Sequence, residues 1–440
     1  MTMKKFVAAM AAIAFSGAVA SAQSIDERIG AAINASDDFG LYDEYRRAPK
    51  DSINPFLEVL ARGLIGNRFN RPDISIPAFD ELLKTQAEHL DLNLLLQSSV
   101  RYSMDLSRTG CNEDAAKLLS SVLSAAYQAV DSAALAPYAD MAARYKALTR
   151  FSPYGIAIDG AEGVVPFDII PVGKPESGQC MMRIAAAEVN GRPARITFDT
   201  GAGVNVITDS LAAAYGLELL DANATATGVE ASAGRYAVAR ELRLGNITVK
   251  DVPFFVIDVR SHNEEADKYF NVLELIVGSE LMLQLKDVTL DFVANQIRVP
   301  KVAAAPSGLR PNMCFSTGMN LLTEAAVNGE PLLIKLDTGD ASYGTLNSYF
   351  FECNREYLTA HCKSDTVRLG GVGGVWSVVC YKLPDAALTL GGRTVSVPTL
   401  DVQTQQKDGY YMSENNLGLR SMMLFGRLRF NLVDMILSAE

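Results

Sequence analysis

The sequence predicts a mainly β protein in which two tandem β lobes follow an α-helical N-terminal domain. Three observations lead to this prediction. Between residues 24 and 152, apolar residues recur at helical spacing. Beyond residue 155, short β-rich runs alternate with turn residues. Finally, a stretch that begins Val-Asn-Gly and ends Asp-Thr-Gly occurs at residues 189–201 and again at 327–339, an offset of 138 residues that indicates a duplicated unit.

The first 22 residues have the three parts of a secretory signal peptide. Lys4 and Lys5 precede an apolar run at residues 6–19, and Ala20-Ser21-Ala22 provides small residues for cleavage before Gln23. We therefore expect the mature chain to be exported, and so periplasmic or secreted. No later stretch approaches the roughly 20 apolar residues of a membrane helix, so no membrane span is expected.

Residues 23–155 are predicted to form an α-helical accessory domain. Helical spacing is clearest at residues 78–89, 92–106, 113–130 and 133–148, with breaks at Asn70-Arg71-Pro72, Gly110 and Ala136-Pro137. Consecutive helices with short connections are typical of an antiparallel array. A dedicated peptide-binding solenoid and an inhibitory or substrate-recruiting segment are alternative interpretations of this domain.

The two predicted lobes cover residues 156–303 and 304–440, and an Ala-, Pro- and Gly-rich connection at 303–311 joins them. In the first lobe, a strand at 194–198 leads into Asp199, a second strand covers 204–208, and a short helix follows that is capped by Asp209 or Ser210 and stopped by Gly216. A strand at 333–336 leads into Asp337 in the second lobe.

Each lobe also has a candidate closing element of two apolar residues and a glycine. These elements are Ile276-Val277-Gly278 and Leu424-Phe425-Gly426, followed by strands at 288–292 and 432–437. The glycines lie 79 residues after Asp199 and 89 residues after Asp337. The unequal spacing predicts that the two lobes have diverged.

Charge and composition exclude several partners and cofactors. The net charge of −11 disfavours nucleic acid as a partner. Six cysteines in an exported chain favour disulfides, with Cys353 and Cys362 close enough in sequence to bridge one loop. The chain has only three histidines and no Cys-x-x-Cys, so neither a metal site nor a cofactor is expected.

The two Asp-Thr-Gly units, each preceded by a strand and followed by an apolar-apolar-Gly element, resemble those of aspartic peptidases of the retropepsin or pepsin type. The resemblance covers residues 160–440. It implies that Asp199 and Asp337 are the catalytic pair, that Thr200 and Thr338 hydrogen-bond across the axis between the lobes, and that Gly201 and Gly339 let each loop turn sharply beside the carboxylates.

In this enzyme class two carboxyl groups lie about 3 Å apart, and because both cannot readily ionise at that distance, they share one proton. We expect Asp199 and Asp337 to act as paired general base and acid that drive water onto the carbonyl of an extended peptide or protein substrate, with either residue in either role. A substrate-binding flap is expected at Gly371-Val372-Gly373-Gly374 and around Gly228; a tight hairpin without function is the alternative.

One residue departs from the family pattern. Asp340 follows Gly339, where family members usually carry a small residue, and a third carboxylate beside the pair raises the cost of ionising Asp337. A peptide-binding module that keeps the fold but cleaves weakly or not at all is therefore the alternative function. A serine hydrolase is excluded because the chain lacks a Gly-x-Ser-x-Gly motif and is poor in histidine.

Overall fold

A computed structural model describes residues 23–173, 175–227, 231–257, 274–316, 319–371, 374–405 and 414–440. The predicted signal peptide lies outside the described residues. No helix in the described part of the chain is long and apolar enough to span a membrane. The chain divides into two compact units, Met1–Asp105 and Leu106–Glu440.

The first unit is helical. Its helices are α1 (Ile25–Ala35), α2 (Asp38–Arg47), α3 (Pro55–Arg68), α4 (Pro72–Thr85) and the start of α5 (Leu92–Arg108). A capping box between Ser24 and Glu27 starts α1. Helices α3 and α4 pack together through a buried cluster that includes Val59, Leu60 and Phe79. The break predicted at Asn70-Arg71-Pro72 is confirmed, because it separates α3 from α4. Helix α4 begins at Pro72, earlier than the predicted start at residue 78, because proline is tolerated in the first turn.

The second unit begins with the end of α5 and two further helices, α6 (Asn112–Ala126) and α7 (Ser132–Leu148). Helix α7 continues through Pro137, so the break predicted there is wrong. Leu148 at the end of α7 packs against Leu220, Ala222 and Val238 of the following β structure. This helix is therefore part of the core of the second unit.

The first β half follows α7. Its strands are β1 (Gly155–Ile158), β2 (Glu162–Pro171), β3 (Cys180–Val189), β4 (Arg192–Phe198), β5 (Val206–Thr208), β6 (Glu218–Thr227), β7 (Ala231–Leu244), β8 (Ile247–Ile257), β9 (Leu275–Val277), β10 (Asp287–Asp291) and β11 (Gln296–Pro300). Among the described residues of this half, the short α-helices α8 (Asp209–Ala214) and Ser279–Leu285 lie between the strands. The cap of α8 is Thr208, whose hydroxyl accepts from the Leu211 N–H, and not Asp209 or Ser210.

The second β half repeats this series. Its strands are β12 (Met313–Phe315), β13 (Leu321–Val327), β14 (Glu330–Asp337), β15 (Gly344–Leu346), β16 (Lys363–Gly371), β17 (Gly374–Leu390), β18 (Arg393–Gln403), β19 (Asn415–Gly418), β20 (Arg427–Asn431) and β21 (Ile436–Ala439). Three short helices lie between them, Ser348–Cys353, Arg355–His361 and Leu419–Met423. The strand predicted at 432–437 is wrong, because residues 432–435 form the turn between β20 and β21.

The two β halves have the same strand pairing. The order β3-β4-β9-β5-β8-β7-β6 in one half corresponds to β13-β14-β19-β15-β18-β17-β16 in the other. In the first half, β4 leads into the Asp-Thr-Gly loop and pairs in parallel with β9. In the second half, β14 leads into the other Asp-Thr-Gly loop and pairs in parallel with β19. The duplication inferred from the 138-residue offset is thus also a duplication of sheet topology.

The repeated Asn-Gly pairs form tight hairpin turns. Asn190 and Gly191 have φ values of 49° and 74°, and Asn328 and Gly329 have values of 52° and 85°. Two consecutive positive φ values are characteristic of a type I′ turn, whose twist matches that of the flanking strands. Each turn fixes the register of the hairpin that carries one Asp-Thr-Gly loop.

The C-terminal strands join the two β halves. Strand β20 pairs antiparallel with β10 of the first half. Arg429 forms a bidentate ion pair with the buried Asp287, at 3.0 and 2.6 Å, and Arg427 pairs with the buried Asp291 at 2.9 Å. These pairs fix the position of one half against the other.

All six cysteines lie among the described residues, and no disulfide bond joins any two of them there. The expected bridge between Cys353 and Cys362 is not formed. The helix Arg355–His361 separates the two residues, and seven residues of helix rise by about 10 Å. A disulfide requires Cα atoms less than about 7 Å apart.

Candidate active site

The two Asp-Thr-Gly loops lie at the ends of parallel-paired strands. Phe198 of β4 pairs with Val277 of β9, and the Asp199 N–H donates to the Val277 carbonyl at 3.0 Å. In the second half, Asp337 pairs with Gly418 of β19. Each aspartate is therefore held at the edge of a buried strand pair.

The closing glycine of the second half is Gly418, not Gly426. A Cβ on Gly278 would clash with the carbonyl of Val204, and a Cβ on Gly418 would clash with that of Ser342, 138 residues later, which places the two glycines in equivalent positions. Gly418 lies 81 residues after Asp337, close to the 79 residues of the first half. The predicted Leu424-Phe425-Gly426 element instead forms the end of a short helix and the turn after it.

Thr200 and Thr338 connect the loops through four reciprocal hydrogen bonds. Each threonine N–H donates to the hydroxyl of the other threonine at 3.0 Å. The Thr200 hydroxyl donates to the Leu336 carbonyl at 2.8 Å, and the Thr338 hydroxyl donates to the Phe198 carbonyl at 2.6 Å. Both side chains are fully buried, so the network fixes the two loops against each other.

Gly201 and Gly339 leave the space that the carboxyl groups occupy. A Cβ on Gly201 would lie closer than 3.0 Å to the carboxyl group of Asp337, and a Cβ on Gly339 would lie equally close to that of Asp199. Each carboxyl group thus crosses to the opposite loop. The structure therefore brings Asp199 and Asp337 together across the pseudo-two-fold axis.

Backbone N–H groups hold one oxygen of each carboxyl group. Asp199 Oδ1 accepts from the N–H groups of Gly201 and Ala202, at 2.8 and 3.1 Å. Asp337 Oδ1 accepts in the same way from Gly339 and Asp340, at 3.0 and 3.1 Å. The second oxygen of each group remains for interaction with the other carboxyl group, with a cation or with a substrate.

Burial raises the pKa of Asp199 to about 7, and the negative charge of Asp337 and the hydrogen bond between the two carboxyl groups contribute to the increase. The positive charge of Lys335 and the N–H of Gly201 partly offset it. A carboxyl group of this kind keeps its proton well above the usual range for aspartate, so it can act as an acid near neutral pH.

Two ionisable residues of the second half, Asp340 and Lys335, lie beside the carboxyl pair of Asp199 and Asp337. Asp340 is held by the Ser342 N–H and the Asn416 side chain, both at 2.8 Å. Burial raises the pKa of Asp340, and the charge of Asp337 raises it further. Lys335 is 4% exposed, and its Nζ lies 2.9 Å from Asp337 Oδ2. The duplicated motif gave no indication of this ion pair, because the equivalent residue of the first half is Thr197.

A buried polar chain supports the loop of the first half from helix α7. Arg144 forms an ion pair with Glu280 at 2.5 Å, and Glu280 is hydrogen-bonded to Tyr154. The Asn205 side chain bonds the Tyr154 hydroxyl at 3.1 Å and accepts from the Gly278 N–H at 3.0 Å. This chain connects the closing glycine to the helical part of the second unit.

The predicted flap residues lie at two long hairpins. Strands β16 and β17 pair up to Gly371 and Gly374, and the predicted Val372 and Gly373 between them lie outside the described residues. Strands β6 and β7 pair up to Thr227 and Ala231, and Gly228 also lies outside. Both β halves therefore have a hairpin in the same place in the strand order.

Tyr236 packs in the core. Its ring lies 5.7 Å from that of Phe255 in an edge-to-face arrangement, and the Arg144 guanidinium lies 4.8 Å from its centre.

Among the residues that the structure describes, no group of three or more His, Cys, Asp or Glu residues is placed to hold a metal ion.

A comparison with known protein families gives a match within the first β half. Residues 185–279 match the family model described as aspartyl protease. This segment is similar to aspartyl proteases. The matched region includes the first Asp-Thr-Gly loop and Gly278. Among solved structures, the EIAV protease complexed with the inhibitor HBY-793 is 19% identical, covers 25% of this chain and 89% of that chain, and has a TM-score of 0.18. No curated protein gives a significant match.

Proposed function

We propose that the chain is an exported aspartic endopeptidase with an Asp199–Asp337 dyad. The observation that carries the proposal is the crossing of the two carboxyl groups, each of which occupies the space left by the glycine of the opposite loop. The elevated pKa of Asp199 supports it, because a dyad must keep one proton to provide both an acid and a base. On this proposal, the two β halves, 156–303 and 304–440, are the two peptidase lobes.

The proposed reaction needs no covalent intermediate. One carboxylate accepts a proton from a water molecule as the water oxygen bonds to the peptide carbonyl carbon, and the other carboxyl group donates its proton to the carbonyl oxygen. The tetrahedral intermediate then collapses, the C–N bond breaks, and the nitrogen takes up a proton from the carboxyl group that had received one from water. The other carboxylate recovers its proton from the intermediate, which restores the dyad.

The substrate is proposed to be a peptide in extended conformation. Strands β6 and β16 of the two long hairpins are the last strands in their sheet orders, and the outer backbone N–H and C=O groups of such strands can pair with an extended chain. Closure of the hairpins over the cleft would exclude water and align the scissile bond. Within the helical region at residues 23–155, the part up to Asp105 is proposed to be an accessory domain, because α6 and α7 belong to the compact unit that contains the β halves.

A peptide-binding module without cleavage is the second candidate. The ion pair between Lys335 and Asp337 and the third carboxyl group of Asp340 favour it, because additional charges change the ionisation that the reaction requires. In this case the cleft would retain peptides and release them intact.

Digestion of an unstructured protein at pH 4–8 separates the two candidates. The wild type, Asp199→Asn and Asp337→Asn are compared, with Asp168→Asn on the exposed face of β2 as the control. We expect new peptide termini with the wild type and the control, and a loss of at least about 100-fold in both dyad variants. Cleavage that persists in both dyad variants would contradict the peptidase proposal, and binding without products would favour the second candidate.

Export is proposed from the N-terminal sequence. The signal peptide is expected to be removed before Gln23. Expression of the full gene product in a bacterial host, followed by N-terminal sequencing of the protein from the periplasm or medium, should give Gln23 as the first residue. An intact N-terminus on cytoplasmic protein would contradict export.

A further inference from the structure

Lys335 makes the two sides of the carboxyl pair chemically different. It precedes Asp337 by two residues on β14, and side chains two residues apart in a strand lie on the same face. The equivalent residue of the first half, 138 positions earlier, is the buried and uncharged Thr197. One carboxyl group therefore has a buried ammonium group as a partner, and its counterpart has a hydroxyl in the equivalent position.

Lys335 lies between Leu322 of β13 and Asn416 of β19, its partners in the neighbouring strands. The ionisable groups near it in the carboxyl cluster include Asp337, Asp199 and Asp340. Asp340 is held by other donors, whereas Asp337 Oδ2 lies 2.9 Å from Lys335 Nζ. The ammonium charge therefore acts most strongly on Asp337.

We propose that Lys335 holds the negative charge of the dyad on Asp337 and the shared proton on Asp199, so that Asp337 is the general base and Asp199 the general acid. The inference rests on the proposed peptidase function and assigns the roles within it. Asp337 then takes the proton from water, and Asp199 protonates the carbonyl oxygen. After the C–N bond breaks, Asp337 returns its proton to the nitrogen and Asp199 recovers its own.

The same arrangement affects the loss of the shared proton at alkaline pH. The positive charge of Lys335 lowers the pKa of Asp199, against the larger effects of burial and of the charge of Asp337. Replacing Lys335 with an uncharged residue should therefore move the alkaline limit of activity to higher pH.

Protein stability at pH 8 tests the charge placement without any assay of activity. Asp199→Asn keeps the Lys335–Asp337 pair, whereas Asp337→Asn leaves Lys335 buried without its carboxylate. We expect Asp337→Asn to increase the equilibrium constant for unfolding at least 100-fold, and Asp199→Asn not to increase it. The double variant Lys335→Met/Asp337→Asn should recover most of the loss. Equal losses in the two single variants, or no recovery in the double variant, would overturn the proposal.

The pH profile of peptide hydrolysis tests the effect on the dyad. In Lys335→Met, the alkaline limb of kcat/KM should move to higher pH by about 1 pH unit, because the charge that lowers the pKa of Asp199 is removed. Lys382→Met is the matched control, because Lys382 pairs with Asp401 on β18 and belongs to no part of the carboxyl pair. Unchanged limbs in Lys335→Met would overturn the assignment. A wild type that shows the stability pattern but cleaves nothing would instead contradict the peptidase function and leave the charge placement supported.

Discussion

Replacing Asp199 with asparagine is expected to stabilise the protein at alkaline pH relative to the wild type. The pKa of Asp199 is raised from 3.8 to about 7, chiefly by burial and then by the charge of Asp337. A raised pKa means that the folded protein binds the proton more tightly than the unfolded chain does. The resulting stabilisation is fully present below pH 3.8 and is lost as the pH rises through 7.

The magnitude follows from the two pKa values. They differ by about 3 pH units, and at 1.36 kcal/mol per unit the full contribution is about 4 kcal/mol. Between pH 5 and pH 8 the wild type should lose about 2–3 kcal/mol of this contribution. Asparagine carries no ionisable proton, so the variant should not show this loss.

Urea unfolding at pH 5, 6.5 and 8 measures the effect. Trp376 is the only tryptophan of the chain and lies on β17, so its fluorescence follows the second sheet. Asp168→Asn serves as the control for the loss of an exposed carboxylate. The quantity of interest is the difference in the free energy of unfolding between wild type and variant. If that difference is the same at all three pH values, the argument that Asp199 is a buried, protonated acid is refuted.

Three further predictions concern the loops and the thiols. Gly201→Ala should abolish peptide cleavage, because the added Cβ would occupy the space of the Asp337 carboxyl group. The control Gly30→Ala, in a helix with open space around the glycine, should keep activity and raise the melting temperature slightly. A cleavage assay and calorimetry measure these effects. Thr200→Val and Thr338→Val should each lower the free energy of unfolding by about 2–3 kcal/mol, because each breaks hydrogen bonds between the loops. In a double-mutant cycle measured by denaturant unfolding, the double variant should lose less than the sum of the two single losses. Additive losses would contradict a shared network. Burial raises the pKa of Cys380 to about 12, so this thiol should resist alkylation in the native protein at pH 8 and react after unfolding, as measured by peptide mass spectrometry.

The duplicated motif was the most informative part of the sequence. Because the two copies share one offset, equivalent residues were expected to meet at an axis, and the structure places Thr200 against Thr338 as expected. The strand order of the β halves could not be read from local patterns, because it depends on pairings between residues far apart in the chain. The first half was the easier one to interpret, since its closing element has two apolar residues before Gly278.

The second half was harder to interpret because polar residues replace apolar ones beside the loop. Asn416 stands where Ile276 stands in the first half, so the element that ends at Gly418 did not match the apolar-apolar-Gly pattern. The two-residue period of a strand could have indicated that Lys335 lies on the same face as Asp337. The ion pair itself depends on side-chain packing and required the structure.

A titration of the Asp199 and Asp337 carboxyl groups measures directly whether the two groups share one proton. In protein labelled with ¹³C at the aspartate Cγ atoms, Asp199→Asn and Asp337→Asn identify the two resonances by their disappearance. We predict that the Cγ resonance of Asp199 titrates with a midpoint near pH 7, because Asp199 holds the proton that the two groups share. Midpoints near pH 4 for both groups, each unaffected by replacement of the other, would show two independent carboxylates and contradict the account.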